Sequence, residues 1–151
     1  MSGLITFRLG EREYATALAD VREVVRLEGL VDLPGMAPPL AGVLDLRGTA
    51  LPVLDLRPGP ASGTRGDVLV LESPTAAGRS AAGTIGVAVD QVRAVVTVDE
   101  LPRAGSTPDA GVLPPYVVDV LRGPSGVVFL VDLPRMLDAV RTAGSEILAQ
   151  T

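Results

Sequence analysis

The chain has 151 residues, a formal net charge of −5, and no His, Cys, Trp or Lys, so all 13 of its cations are Arg. Without His and Cys it cannot assemble the usual zinc or transition-metal sites, nor Ser–His–Asp or Cys–His catalysis. Without Lys it has neither a Schiff-base amine nor a P-loop lysine. An acidic balance also disfavours nucleic acid and anionic membrane surfaces, where affinity rests on cations meeting phosphate.

The length suits one domain, or two small subdomains around a common core. With 47% apolar residues but two Phe and two Tyr as the whole aromatic complement, that core is aliphatic. No apolar run approaches the roughly 20 residues of a membrane span. Met1–Thr6 lacks the basic-then-apolar order of a secretory signal, and a soluble, cytoplasmic protein is expected.

Taken in order, Leu4–Leu9 alternates apolar and polar residues as a half-buried strand does. A polar turn at Gly10–Glu13 and a second strand over Tyr14–Leu18 complete an opening hairpin. Asp20 and Glu23 have the spacing of a capping box, which predicts one helical turn. The β-branched pair Val24-Val25 then returns the chain to a strand ending at Leu27. Glu28–Pro39 is a connector.

Gly42–Arg57 follows as two apolar runs, 42–46 and 50–56, each ending in Asp-Leu-Arg, with Gly48 between them as the turn. Arg47 is thereby placed at a hairpin tip. Surface loops are predicted over 58–66 and 73–82, flanking a strand at Val68–Glu72. Gly83–Val98 reads as two strands with a break near Asp90, 102–115 as irregular, and Tyr116–Leu121 with Val127–Val131 as a final hairpin. Leu133, Met136, Leu137 and Val140 then recur at helical spacing. They predict a terminal helix over about 133–149, with Asp132 as N-cap and Pro134 in the first turn.

One stretch is echoed. Leu51-Pro-Val-Leu-Asp-Leu-Arg-Pro and Val128-Phe-Leu-Val-Asp-Leu-Pro-Arg both run from an apolar strand through Asp-Leu to a Pro-bounded exit. Two β units that close a strand in the same way are implied, and many short strands between turn signals indicate small barrels sharing an interior. Asp55, Asp90 and Asp132 each end an apolar strand, where a carboxylate holds a turn through backbone N–H groups. As a catalytic carboxylate pair, Asp45 and Asp55 lack the flanking Thr/Ser-Gly of an aspartic protease.

Several segments taken together resemble one family. They are Phe7-x-Leu-Gly-x-x-x-Tyr14, Val21-Arg-Glu-Val24, Leu33-Pro-Gly35, Gly42–Gly48, Leu51–Arg57, Ile85–Val92 and Val131-Asp-Leu133. In this order and spacing, over roughly residues 4–140, the chain is similar to the CheW-like family of bacterial chemotaxis coupling proteins. The resemblance implies an all-β fold: two five-stranded SH3-like barrels around a shared aliphatic core, with the C-terminal helix, in a single domain spanning residues 1–151.

It further implies a non-enzymatic adaptor without cofactors, coupling the cytoplasmic tip of a methyl-accepting chemoreceptor to the regulatory domain of the chemotaxis histidine kinase (CheA). Such a protein is cytoplasmic and is recruited to membrane-associated receptor arrays. By position, Leu18, Val21, Glu23, Gly42, Arg47, Gly48, Val92 and Val95 fall where the family meets the receptor. Leu44, Asp45, Val53 and Asp55 are the corresponding candidates for kinase contact. Where the family usually carries Asn before Leu-Arg-Gly, this chain has Asp45, an acceptor without a donor when ionised. Two positions from Arg47 on one strand face, Asp45 is expected to pair with it.

Two alternatives stand beside the adaptor reading. One is a similar scaffold serving a non-motility pathway or a diverged kinase. The other is a ligand-binding or hydrolytic barrel, which would need a nucleophile–base pair that this composition does not offer.

Overall fold

The structure, a computed structural model, describes residues 3–35, 40–57, 65–72, 83–104 and 113–139. Its strands are β1 (Gly3–Leu9), β2 (Arg12–Ala17), β3 (Glu23–Arg26), β4 (Leu40–Leu46), β5 (Thr49–Asp55), β6 (Asp67–Glu72), β7 (Thr84–Val89), β8 (Gln91–Thr97), β9 (Val117–Gly123) and β10 (Gly126–Val131). Short 3-10 turns occupy Leu18–Asp20 and Val98–Glu100, and one helix, α1, covers 133–139. The loops predicted at 58–66, 73–82 and 102–115 fall mostly or wholly outside the described residues, as does the predicted helix beyond residue 139.

The strands form two five-stranded sheets, β8-β1-β2-β10-β9 and β3-β6-β7-β5-β4. Both close by the same device. Past β3 the chain buries Leu27 and bridges back to the far strand through Val31 and Val43. Past β8 it buries Leu101 and bridges to β9 through Arg103 and Leu121. Each sheet thus curls until its two end strands meet, as an SH3-like barrel requires. The barrels are called I (β1, β2 and β8–β10) and II (β3–β7).

Register makes the two barrels equivalent. In barrel II, Leu44 pairs with Leu51 and Val53 lies parallel to Gly86. In barrel I, Leu121 pairs with Val128 and Leu130 lies parallel to Ala15. Leu51 and Val128 therefore hold the same place, as do Asp55 and Asp132, which is the register of the sequence echo. Barrel I is assembled from the two ends of the chain, with barrel II inserted between β2 and β8.

Strand alternation sorts side chains into three clusters. Leu44, Leu51, Val53, Val68 and Val70 fill barrel II, and Leu4, Ala15, Leu121 and Val128 fill barrel I. The opposite faces of β1, β6 and β7, including Phe7, Leu69, Leu71, Val87 and Val89, meet between the barrels with Leu133, Met136 and Leu137 of α1. Strands β6 and β7 are buried on both faces, hence their continuous apolar sequence. Asp132 caps α1, its Oδ1 accepting from the Arg135 N–H at 3.2 Å.

The break near Asp90 is where the chain crosses from barrel II to barrel I. There Gly10 N–H donates to Asp90 Oδ2 at 2.6 Å, while Asp90 N–H donates to the Arg8 carbonyl at 3.0 Å.

The first helical turn differs from expectation. It covers Leu18–Asp20, so Asp20 ends it instead of capping it, and Glu23 begins β3. The Arg22 N–H is captured by the Val70 carbonyl at 2.7 Å, and β-branched Val24-Val25 follows in the ladder. A capping box does occur at Thr97-x-x-Glu100, where Glu100 Oε2 accepts from the Thr97 N–H at 2.7 Å. That spelling was present in the sequence and was not singled out.

Candidate partner-binding surface

Strands β4 and β5 are joined by a two-residue turn, Arg47-Gly48, closed by the Leu46–Thr49 pair. Both turn residues have positive φ, 52° for Arg47 and 86° for Gly48. This is the pattern of the type I′ turn, whose twist matches that of the flanking strands. A positive φ is uncommon for a residue with a Cβ and needs support. Asp45 supplies it from below, its Oδ1 accepting from the Gly48 N–H at 2.7 Å.

Glu23 supplies the second support. Arg47 Nη1 and Nη2 donate to Glu23 Oε2 and Oε1 at 3.1 and 2.5 Å, a bidentate fork. These hydrogen bonds hold the Glu23 carboxyl below its ordinary range and raise the guanidinium. Glu23 lies on β3 and Arg47 follows β4, the two end strands of the sheet, so the pair lies across the seam of barrel II. It bounds an open hollow also lined by Arg22, Leu46, Thr49, Val70 and Thr84. The Arg47 side chain remains 70% exposed.

The expected Asp45–Arg47 pair is therefore not formed. The left-handed backbone at Arg47 carries its side chain to β3, while the Asp45 carboxylate turns under the loop. Pairing at i, i+2 occurs instead at the second copy of the tripeptide, where the Arg does not take a positive φ. Arg57 Nε and Nη2 donate to Asp55 Oδ1 and Oδ2 at 3.0 and 2.9 Å, and Arg57 N–H donates to Oδ1 at 2.9 Å. The Arg57 side chain is only 2% exposed, and its Nη1 also donates to the Arg65 carbonyl. Nothing in the local sequence marks Arg57 for burial, whereas Asp55 is the strand-end carboxylate that holds the turn, as its position predicts.

The other predicted residues separate by burial. Glu23, Arg47 and Gly48 share the mouth of barrel II. Leu18 and Val95, the latter 61% exposed, lie on barrel I beside the ends of β1 and β8. Val21 and Val92 pack partly against the shared core, on the path between these groups. Gly42 is buried, and a Cβ there would stand 2.5 Å from the Val31 carbonyl oxygen, so its role is to let the barrel seam close. Leu44 and Val53 face the interior of barrel II at 4% and 0% exposure. They support the surface from within, and the expectation that they touch a partner does not fit their burial. Asp45 is exposed, whereas Asp55 is engaged by Arg57. Among the described residues, no helix is long and apolar enough to cross a membrane, and no His, Cys, Asp or Glu cluster has the makings of a metal site.

Comparison with known proteins agrees with this architecture. The chain is 35% identical over 54 residues to the chemotaxis protein CheW of Bacillus subtilis (strain 168), covering 36% of this chain and 35% of that one. It is 31% identical over 101 residues to a probable chemotaxis protein CheW of Rhizobium etli, covering 64% of this chain and 61% of that one. The matches thus span about a third and about three fifths of these relatives. The scaffolding protein TtCheW of Thermoanaerobacter tengcongensis has the same fold, with a TM-score of 0.63 at 19% identity, over 87% of this chain and 84% of that one. The family described as CheW-like domain matches residues 3–141, and the chain belongs to that family.

Proposed function

We propose that this protein is a non-enzymatic adaptor of chemotaxis signalling that couples the cytoplasmic tip of a chemoreceptor to the regulatory domain of the chemotaxis histidine kinase. Membership of the CheW-like family supports a scaffold in such a pathway. The observation that carries the finer reading is the Arg47 guanidinium, fixed by a rigid turn and by Glu23 yet largely open to solvent. An Arg whose geometry is set in advance loses little freedom on docking, which suits an interface anchor. Leu18 and Val95 offer exposed apolar area on the same route along the surface.

In this reading the receptor tip meets Leu18, Val21, Glu23, Arg47, Gly48, Val92 and Val95, with Gly42 shaping the seam beneath. Asp45 contributes to kinase contact at the exposed edge of barrel II. The protein works in the cytoplasm and is carried to receptor arrays by its partners. Arg47→Ala weakens receptor-tip binding roughly tenfold in calorimetric titration, as loss of an interface Arg does, with little change in melting temperature. Unchanged affinity would remove Arg47 from the interface. Co-purification from the native cell without a receptor or histidine kinase would remove the adaptor reading.

A further inference from the structure

The equivalence of the barrels exposes a second surface that the adaptor reading does not use. Stepping across the sheets, Glu23 pairs with Val70, which pairs with Gly86, the parallel neighbour of Val53. In barrel I the same path runs from Ala94 through Thr6 and Ala15 to Leu130. Ala94 is therefore the counterpart of Glu23, and Arg93, at the register shift between Thr6 and Phe7, precedes it in the chain as Arg22 precedes Glu23. The turn Arg47-Gly48 corresponds to Pro124-Ser125. The mouth of barrel I thus has neither the carboxylate nor the guanidinium of the clamp that spans the mouth of barrel II.

Among the described residues it has, instead, two cations without a carboxylate partner. A hollow of about 300 Å³ opens there, lined by Arg8, Arg12 and Arg93, by Glu11 and Glu13, and by Ser125, Val127 and Phe129. Arg93 leans on Glu13 at 3.5 Å. Arg8 and Arg12, like Arg26, Arg65 and Arg122 elsewhere, have no carboxylate within ion-pair distance among the described residues, whereas Arg22, Arg47, Arg57, Arg93, Arg103 and Arg135 all do. Beside these cations lie Val127, 53% exposed, and the half-buried ring of Phe129. The lining thus carries three guanidinia against two carboxylates, one of which Arg93 already engages.

We propose that the mouth of barrel I is a second docking surface, and that it takes an acidic, partly apolar segment of a partner protein. Arg8 and Arg12 meet the segment's carboxylates while Val127 and Phe129 cover an adjacent aliphatic side chain. Charge complementarity selects this occupant. Two guanidinia with no ion-pair partner among the described residues answer carboxylates bidentately, and the flanking apolar area adds burial that a bare anion would leave unused.

The test uses the full chain and a labelled short peptide of alternating Glu and Leu, with Lys/Leu and Glu/Gly peptides as controls. The Glu/Leu peptide is expected to shift the NMR amide signals of Arg8, Arg12, Arg93 and Ser125–Phe129 while leaving those of Arg47-Gly48 in place. Arg8→Glu with Arg12→Glu weakens it at least roughly tenfold, and the milder Arg8→Gln with Arg12→Gln weakens it less, both with an unaltered thermal transition. Arg47→Ala leaves this affinity unchanged, which separates failure here from failure of the receptor reading. Signal shifts confined to the Arg47 hairpin, equal binding of the Glu/Gly peptide, or indifference to charge reversal would each overturn the proposal. So would a concentration-dependent dimer, or binding to anionic vesicles, that the double reversal abolishes, since the occupant would then be another copy or a lipid surface.

Discussion

Arg47 and Arg57 stand in identical tripeptides and behave in opposite ways, and backbone conformation decides between them. At Arg47 the chain turns with positive φ, so the side chain reaches Glu23 and remains in solvent. At Arg57 it does not, the side chain reaches back to Asp55, and the pair is enclosed. The Glu23 carboxyl is held low chiefly by its hydrogen bond from Arg47. A carboxyl with a depressed folded-state pKa contributes stability above its unfolded value and loses it as pH falls through the folded one. The clamp is therefore intact across neutral pH and opens only below the usual Glu range. A carboxyl NMR titration of Glu23 should show a midpoint that rises in Arg47→Ala, and an unmoved midpoint would mean that no clamp forms in solution. Arg57 has the opposite character. Removing one member of a buried pair strands the other, so Arg57→Met should cost about 3 kcal/mol in denaturant unfolding. Arg57→Met combined with Asp55→Val should recover most of that loss. The place of Arg47 at a hairpin tip was legible from the turn residues around it, whereas the burial of Arg57 was not, because it depends on a carbonyl at Arg65 and a fold that encloses both.

Strand positions were readable because alternation and Gly/Pro punctuation are local, and the observed β1, β2 and β4–β10 lie within a residue or two of their predicted bounds. The hairpin pairings β1–β2, β4–β5 and β9–β10 were readable for the same reason, whereas the pairings between distant strands were not. The parallel contact of β2 with β10 sets Glu13 beside Val128 across most of the chain, and no local pattern encodes it. The Asp20–Glu23 spacing misled for a similar reason, since a long-range bond from Arg22 N–H to the Val70 carbonyl pulls that stretch into barrel II. The true capping box at Thr97–Glu100 ends β8 and starts the closure of barrel I. Glu100→Ala should cost about 1 kcal/mol, the usual scale for a lost cap. Its counterpart in barrel II is a matter of space. Gly42→Ala forces a methyl to within 2.5 Å of the Val31 oxygen and must part the Val31–Val43 bridge. Overpacking of this kind costs about 1–3 kcal/mol. Because Gly42 lies beneath the Arg47 hairpin, the same change should weaken receptor-tip binding as well. Full binding with lowered stability would confine Gly42 to a structural role.

At the scale of the molecule, the two barrels are halves of one object because their largest cluster lies between them. Phe7 and Leu9 come from barrel I, Leu69, Leu71, Val87 and Val89 from barrel II, and Leu133, Met136 and Leu137 from α1, which follows β10. The individual barrel interiors are smaller, and that of barrel I is built largely on Leu4, Ala15, Leu121 and Val128. A barrel separated from its neighbour would expose Phe7 or Leu69 to water and keep too little interior to compensate. Both barrels should therefore unfold in one transition, with calorimetric and van't Hoff enthalpies equal. Leu133 is fully buried where the helix and both barrels meet, so it is the sharpest probe of this coupling. Leu133→Ala removes a large aliphatic side chain from a site fixed on several sides, for which a loss of about 3 kcal/mol is expected. If the barrels are coupled, amide-exchange protection falls equally in β6 and in β1 although Leu133 belongs to neither strand. A loss confined to barrel I, with barrel II retaining its protection and a second thermal transition emerging, would show two independently stable units. The clamp at one mouth and the cations at the other could then move relative to each other. A single transition instead fixes their separation, so a partner engaging both mouths must match a rigid spacing.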